Sequence, residues 1–329
     1  MRAWRFLLLV PVVLGAAAGA ALYAWLERPL ALAADTVEVS IEPGTPPREI
    51  ARLWVEAGVQ ASPLLLYEWF RWSGQARRIR AGSYEIGRGT TPVALLRKMV
   101  RGDESLATVR FNEGWTFRQM RAELARADAL KPTTASMSDA EIMQALGAPG
   151  VPPEGRFHPD TYAYSKGSAD LAVLRRAYKA MQRRLEAAWA ERTPDTPLKS
   201  PDEALTLASI VEKETGRPAD RGLIAGVFVN RLKKGMPLQT DPSVIYGLGE
   251  AFDGNLRKRD LQADTPYNTY TRTGLPPTPI AMPGKLALLA AVRPEPTDAL
   301  YFVSRGDGSS EFSVTLPEHN RAVNRYQRK

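Results

Sequence analysis

The segment Ala204-Leu-Thr-Leu-Ala-Ser-Ile-Val-Glu-Lys-Glu-Thr215 is the part of this chain on which the rest of its interpretation depends. It predicts a helix that carries two acidic side chains near its end, Glu212 and Glu214. The two lie about 200° apart around a helix, so they cannot share a face. Apolar residues stand seven, four and three positions before Glu214. We therefore expect Glu214 on the apolar face and Glu212 off it.

A buried position would give Glu214 a chemical use. Burial penalises the charged form of a carboxyl group and raises its pKa. A raised pKa lets the group hold a proton near neutral pH, as the acid of a glycosidase must. A helix-end acid that pairs with an arginine is the structural alternative, and the helix alone leaves it open.

Two later stretches combine amide, hydroxyl, carboxylate and phenol groups with aromatic rings. The first runs from Pro237 to Gly249 and the second from Tyr267 to Ile280. Sugars are bound by such groups, because their hydroxyls accept and donate hydrogen bonds and their ring faces lie on aromatic side chains. Each stretch taken singly is equally consistent with a rigid loop.

The N-terminal segment predicts a membrane anchor. Residues 6–26 contain no charged side chain, and about 20 apolar residues span the bilayer core as a helix. Arg2 and Arg5 precede the segment, which places residues 1–5 in the cytoplasm by the positive-inside rule. A cleaved signal peptide is the alternative, although the apolar run is longer than the usual signal core.

Composition limits the other classes of function. The chain has 329 residues, of which 44% are hydrophobic and 24% charged, and a net charge of +8. No basic run is long enough to predict a nucleic-acid-binding arm. The absence of cysteine excludes disulfides and thiolate chemistry, and the only histidines, His158 and His319, show no zinc-binding spacing. We expect neither a metal nor a cofactor.

The segment after the anchor predicts a small α+β module. Residues 37–41 alternate as a strand does, Thr45 is placed to cap a following helix, and a second helix is expected from Pro63 to Trp72. Residues 82–86 form the next expected strand, and Thr91 and Thr116 are expected to cap later helices. This β-α-α-β order is the layout of LysM-like glycan-binding modules. Short strands are also expected at 300–303 and 312–315, and we expect an α+β fold for the whole chain.

Several motifs resemble those of the endolytic murein transglycosylase family, also called YceG-like. They occur in family order from about residue 40 to Asn320: Ala81-Gly-Ser-Tyr84, Asn112-Glu-Gly114, Pro159-Asp-Thr-Tyr162, Leu207-Ala-Ser-Ile-Val-Glu-Lys-Glu-Thr215, Phe228-Val-Asn-Arg-Leu232, Leu238-Gln-Thr-Asp-Pro242, Val244-Ile-Tyr-Gly247, Tyr267-Asn-Thr-Tyr270 and Gly274-Leu-Pro-Pro277. The departures are modest: His158 stands where the family more often has an apolar residue, and Arg156 precedes Phe157.

The resemblance implies an organisation and an activity. It implies a single-pass inner-membrane anchor at 6–26, a LysM-like subdomain at 36–106 and a lysozyme-like catalytic domain at 107–329. It further implies endolytic cleavage of nascent peptidoglycan strands, which terminates their elongation, and association with penicillin-binding synthases. The family's catalytic acid matches Glu214, in agreement with the argument from the helical face.

The hypothesis is a lyase mechanism with one carboxyl group. Glu214 protonates the glycosidic oxygen between MurNAc and GlcNAc, and the MurNAc 6-hydroxyl then closes a 1,6-anhydro ring without water. The candidates for orienting the sugar or its lactyl-peptide arm are Gln239, Asp241, Tyr246, Asn268 and Tyr270. Asp241 could instead cap a turn and Tyr246 could belong to the core.

Two other functions remain open at this point. A muramidase would hydrolyse the same bond, with Asp241 as its second carboxylate. A non-catalytic scaffold would bind glycan beside the wall-synthesis machinery and would keep its function in cells after a Glu214→Gln substitution.

Overall fold

The computed structural model describes residues 2–214 and 217–327, with side chains from residue 13 onward. It is a mixed α+β structure, as predicted. Thr215, the predicted last residue of the central helix, lies outside the described residues, as does Met1 of the predicted N-terminal segment 1–5.

The helices found in the described part of the chain are α1 (Arg2–Glu27), α2 (Pro47–Glu56), α3 (Pro63–Trp72), α4 (Pro92–Arg101), α5 (Phe117–Arg126), α6 (Asp139–Ala145), α7 (Asp170–Ala190), α8 (Pro201–Glu214), α9 (Pro218–Lys233), α10 (Asp241–Leu248), α11 (Lys258–Gln262), α12 (Lys285–Val292) and α13 (Leu316–Tyr326). The strands are β1 (Thr36–Ile41), β2 (Gly82–Gly87), β3 (Leu106–Arg110), β4 (Thr161–Ser165), β5 (Tyr301–Ser304) and β6 (Ser310–Ser313). They form three two-stranded sheets, β1-β2, β3-β4 and β5-β6.

The chain divides into two compact units. The first holds the chain up to Ala107 together with two short later segments, Asp128–Leu130 and Ala163–Ser168. The second holds the remainder. The predicted domains at 36–106 and 107–329 stay a prediction.

The first unit has the expected β-α-α-β order. Strands β1 and β2 pair antiparallel, with Val39 opposite Tyr84. Alternate residues of β1 are buried, because successive side chains of a strand point to opposite faces. They pack with Trp54 of α2 and Phe70 of α3, both fully buried, in one apolar core.

The helix caps predicted from the sequence are confirmed at Thr91 and Thr116 and wrong at Thr45. Thr91 caps α4 by accepting a hydrogen bond from the Ala94 amide at 3.1 Å. Thr116 caps α5 in a reciprocal arrangement with Gln119. The prediction for Thr45 is wrong: Pro46 occupies the cap position of α2, and the Thr45 hydroxyl donates to the Glu42 carbonyl at 2.8 Å.

The second unit is built around α8. Every residue of α8 from Ala204 to Val211 is buried, and the helix contacts α7, α9, α10 and α12. Helix α9 lies close to the backbone of Glu295 at Gly226, which has no Cβ atom. A Cβ atom there would lie 2.7 Å from the Glu295 carbonyl oxygen. His158 is also buried, and burial lowers its pKa to about 4, so the imidazole is neutral.

The helices that follow residue 215 were not predicted from the sequence. Helix α9 is buried on most sides and shows no apolar stripe, and α10 lies within a stretch interpreted only as polar and aromatic. The short strands predicted at 300–303 and 312–315 are present at Tyr301–Ser304 and Ser310–Ser313.

The N-terminal segment is helical, since α1 covers Arg2–Glu27. Within the part of the chain that the structure describes, no helix combines the length and the apolarity needed to cross a membrane. The membrane span at 6–26 stays a prediction.

Candidate active site

Glu214 stands at the end of α8, next to a loop that precedes α10. The residue is half-buried, and its carboxylate accepts a hydrogen bond from the hydroxyl of Thr240. Thr240 is itself buried. One side of the Glu214 carboxyl group is therefore fixed by the protein interior.

The surroundings of Glu214 raise its pKa to about 7. Burial is the largest cause, and the negative charge of Asp241 acts in the same direction. The Thr240 hydrogen bond and the positive charge of Arg231 oppose the rise without cancelling it. A carboxyl group with this pKa can give and take a proton near neutral pH.

The prediction that Glu212 lies off the buried face of α8 is wrong. Its side chain is only 6% exposed and lies 3.5 Å from the Arg221 guanidinium. Its other oxygen accepts a hydrogen bond from the Gly284 amide at 2.8 Å. The reason for the error is that the helix is buried on all sides up to Val211, so no face is free for Glu212. These contacts give Glu212 a structural role.

The loop that carries Thr240 has an unusual backbone. Gln239 adopts φ +52°, a left-handed conformation that costs a non-glycine residue free energy. Its amide nitrogen donates to the Thr269 carbonyl at 3.0 Å. Its side-chain oxygen accepts from Arg231 at 3.3 Å. These bonds hold the conformation that places Thr240 against Glu214.

Arg231 on α9 is the main support of this loop. The buried guanidinium donates to the carbonyls of Leu238 at 2.8 Å and Pro237 at 3.2 Å. It also donates to the Leu300 carbonyl at 2.7 Å, and it lies 5.2 Å from the centre of the Tyr301 ring. One side chain therefore joins α9 to the loop at 237–238 and to the segment at Leu300.

A small network of hydroxyl groups supports the loop from the other side. The Thr240 amide donates to the Thr269 hydroxyl at 3.0 Å. The Ser243 hydroxyl lies 2.9 Å from the Thr269 hydroxyl and donates to the Thr240 carbonyl at 2.9 Å. All three residues are buried, so the network orients Thr240 without access from solvent.

Asp241 and Tyr270 form a pair next to Glu214. The Tyr270 hydroxyl donates to the Asp241 carboxylate at 2.5 Å. Burial and then the Asp241 hydrogen bond raise the pKa of Tyr270, and the charge of Glu214 adds to the effect. The phenol therefore stays neutral and remains a donor. Asp241 is exposed and Tyr270 half-buried, so both can be reached from solvent.

Tyr246 and Asn268 lie in different surroundings from the other candidates. The Tyr246 hydroxyl donates to the Glu154 carboxylate at 3.2 Å, and its ring packs edge-on against Tyr267 at 4.9 Å. Asn268 is 1% exposed. Its side-chain nitrogen donates to three backbone carbonyls, the nearest that of Ala263 at 2.6 Å. Asn268 is thus occupied in holding the loop that presents Tyr270.

Three residues of this site were not identified in the sequence: Thr240, Arg231 and Glu154. Thr240 and Arg231 stand inside quoted motifs, but nothing in their spacing indicates which partner each would meet. Glu154 is separated from its partner Tyr246 by 92 positions. Among the described residues, no group of three or more His, Asp or Glu side chains could hold a metal ion.

Comparison with known proteins shows the family of this chain. The profile of the YceG-like family matches residues 39–325. The chain belongs to the YceG-like family. The endolytic murein transglycosylase of Bacillus subtilis is 33% identical over 309 residues, which cover 88% of this chain and 85% of that protein.

Two further proteins are similar to most of this chain. The endolytic murein transglycosylase of Streptococcus pneumoniae is 28% identical over 320 residues, 87% of this chain, which spans 58% of that longer relative. A crystal structure of a YceG-like protein from Listeria monocytogenes matches with a TM-score of 0.55 and 28% identity, covering 87% of this chain and 98% of the other. The family match at residues 39–325 includes Glu214.

Proposed function

We propose that this protein is a lytic transglycosylase that cleaves the bond between MurNAc and GlcNAc within murein glycan strands. The name of the relatives in Bacillus subtilis and Streptococcus pneumoniae, endolytic murein transglycosylase, supports this. The observation that carries the proposal is the half-buried carboxyl group of Glu214, whose pKa of about 7 suits a proton donor at neutral pH.

In the first step Glu214 acts as the acid. Its carboxyl proton passes to the glycosidic oxygen while the bond from that oxygen to C1 of MurNAc breaks. The GlcNAc end leaves with a hydroxyl group, and positive charge develops on the MurNAc ring. The ionised Glu214 that remains keeps its hydrogen bond from Thr240, which stabilises the charge formed in this step.

In the second step the same carboxylate acts as the base. It accepts the proton of the MurNAc 6-hydroxyl, whose oxygen forms the new bond to C1 and closes the 1,6-anhydro ring. Glu214 is then protonated again and ready for another cycle. The nucleophile belongs to the substrate and is held near C1, so no second carboxylate is needed to activate water.

The residues around Glu214 are proposed to orient the sugar. Gln239 and Asp241 are exposed beside Glu214, and their polar groups can bind sugar hydroxyls. The neutral phenol of Tyr270 fixes the orientation of the Asp241 carboxylate. Asn268 contributes by positioning Tyr270 through a hydrogen bond from the Tyr270 amide at 2.9 Å.

Strand length tests the proposal. Purified full-length protein in detergent is incubated with long uncrosslinked glycan strands, and the length distribution is followed by chromatography. Internal cleavage shortens the mean length early in the reaction. No change in length with a folded protein would overturn the proposal and favour a glycan-binding scaffold.

Replacing Thr240 by Val should shift the pH profile. The Thr240 hydrogen bond lowers the pKa of Glu214, so its loss raises that pKa further. The acid must be protonated, and the rate therefore falls as pH rises through the pKa of Glu214. Hydrogen bonds to charged groups contribute about 1.5–3 kcal/mol, so the falling limb should move upward by roughly one pH unit or more.

The measurement is kcat/KM from pH 5 to pH 9 for the wild type, Thr240→Val and Thr240→Ser. The serine variant keeps the hydroxyl group and should follow the wild-type profile closely. A valine profile that superimposes on that of the wild type would show that Thr240 does not set the pKa of Glu214.

We also propose that residues 6–26 anchor the protein in the inner membrane, with the catalytic region in the periplasm. The uncharged composition of the segment and the arginines before it support this. We further propose that the first unit is LysM-like and the second lysozyme-like. The protein is also proposed to contact penicillin-binding synthases.

Removal of residues 1–27 tests the anchor. We expect the full-length protein in the membrane fraction and resistant to extraction with carbonate, and the shortened protein in the soluble fraction. Membrane association of the shortened protein that survives carbonate would contradict the anchor at 6–26.

A further inference from the structure

A polar and aromatic hollow of about 780 Å³ lies in the second unit next to the ends of α8 and α10. Its lining includes Phe117, Glu154, Lys213, Ile245, Tyr246 and Phe252. The volume falls within the usual range for sites that bind small molecules. The lining does not include Glu214.

Two residues that line the hollow are close in the chain to the proposed catalytic group or to its partner Thr240. Lys213 directly precedes Glu214 on α8. Pro242, which also lines the hollow, is two residues after Thr240, whose hydroxyl bonds to Glu214. A substrate held at Glu214 would thus have the hollow to one side of the bond that breaks.

The lining combines charged, polar and apolar side chains, with Arg118 and Asp139 among the charged ones. The exposed side chain of Lys213 brings a positive charge to the hollow, and its ammonium group donates to the Gly114 carbonyl at 3.4 Å. Ile245, Phe252 and the ring of Tyr246 supply apolar surface. A ligand that carries a carboxylate beside short apolar side chains would pair its charge with Lys213 and pack its apolar groups on this surface.

Hydrogen bonds of a buried carboxyl group hold the Tyr246 side of the hollow in place. Glu154 is 7% exposed, and its two oxygens accept hydrogen bonds from the Phe117 amide at 3.0 Å and the Tyr246 hydroxyl at 3.2 Å. One buried carboxyl group thus joins the start of α5 to α10. The ring of Tyr246 is fixed as a rigid surface before any ligand arrives.

We propose that this hollow binds the peptide that the MurNAc lactyl group carries, with Lys213 pairing with a peptide carboxylate and Phe252 packing on its side chains. The inference rests on the proposed function, because it assumes that Glu214 acts at MurNAc. A bare glycan strand needs only hydroxyl partners and ring faces along its path. A lateral hollow with a cation and an apolar wall fits the group that branches from the strand.

The test compares two substrates prepared from one batch of strands. One keeps its peptides, and an amidase has removed the peptides from the other. We expect the full-length protein to cleave the peptide-bearing strands at least about tenfold faster in kcat/KM. In Lys213→Met and in Phe252→Ala this preference should fall to about twofold or less. Lys179→Met, which removes an exposed lysine of α7, should keep the wild-type ratio.

A binding measurement separates this inference from the proposed function. The probe is a synthetic N-acetylmuramyl pentapeptide, titrated calorimetrically into the full-length protein. Binding that Lys213→Met weakens about tenfold supports the hollow even if no strand is cleaved. Absence of binding, equal cleavage of both substrates, or equal loss on both substrates in the variants overturns the inference.

Discussion

Glu214→Gln should reduce kcat/KM for strand cleavage by at least about 10³-fold, because one positioned acid or base contributes about 10²–10⁴-fold and Glu214 has both tasks. Glutamine keeps the size and an oxygen that can accept the Thr240 hydrogen bond, but it cannot give or take the proton. The measurement is the initial rate of strand shortening at pH 6.5. The fold should be preserved.

Glu212→Gln is the matched control on the same helix. Glu212 meets Arg221 and the Gly284 amide rather than Thr240. This variant should lose some stability, since it removes the charge that compensates the buried Arg221, yet the folded fraction should retain cleavage. If both variants lost activity equally, with circular dichroism showing native helix content, the assignment of Glu214 as the acid would fail.

Stability gives an independent check on Glu214. Its pKa in the folded protein is raised, so ionisation destabilises the fold as pH rises from the unfolded pKa through about 7. Glu214→Gln has no such cost. It should exceed the wild type in free energy of unfolding by up to about 3 kcal/mol at pH 8 and by only a few tenths at pH 4.5.

Arg231→Met should destabilise the protein by about 2–4 kcal/mol and lower cleavage at least tenfold in the fraction that stays folded. The substitution leaves the carbonyls of Leu238 and Leu300 without their donor, and an unpaired buried polar group costs about 1–3 kcal/mol. It also releases Gln239, whose left-handed backbone then relaxes and moves Thr240. The measurements are urea unfolding and the pH profile of kcat/KM.

The pH profile separates positioning from simple instability. Arg231 lowers the pKa of Glu214, so its removal should move the falling limb of the profile to higher pH. Arg192→Met is the control, because Arg192 is an exposed arginine that also lies over an aromatic ring, that of Trp189, at 4.6 Å. A control that lost as much stability as Arg231→Met would contradict the role assigned to the buried guanidinium.

The sequence alone predicted much of the first unit. The strand alternation of β1, the β-α-α-β order and the cap at Thr91 follow from contacts between residues close in the chain. Such signals are readable because each depends on the local backbone. The error at Thr45 came from Pro46, which occupies the cap position itself.

The second unit was less predictable because its contacts are long-range. Helix α9 lacks an amphipathic pattern, since neighbours cover it on several sides, and periodicity therefore gave no signal. The position of Glu212 was wrong for the same reason. Of the site, Glu214 could be identified from its helix and its motif, whereas its partner Thr240 depends on the fold of a loop 26 residues away.

Arg231 and Glu154 show what remains outside the sequence. Each is a charged residue in a buried position, and each joins segments separated by many residues: Arg231 reaches Leu300 and Glu154 reaches Tyr246. In the sequence both resemble ordinary surface charges. Only the packed structure makes Arg231 a support of the site and Glu154 a support of the adjacent hollow.

The most direct test of the lyase mechanism is mass spectrometry of the strand ends produced by the full-length protein from uncrosslinked glycan, with Glu214→Gln in parallel. We expect 1,6-anhydro-MurNAc ends from the wild type and no new ends from the variant. Reducing MurNAc ends from the wild type would contradict the account, because they require water at C1 and a hydrolase mechanism.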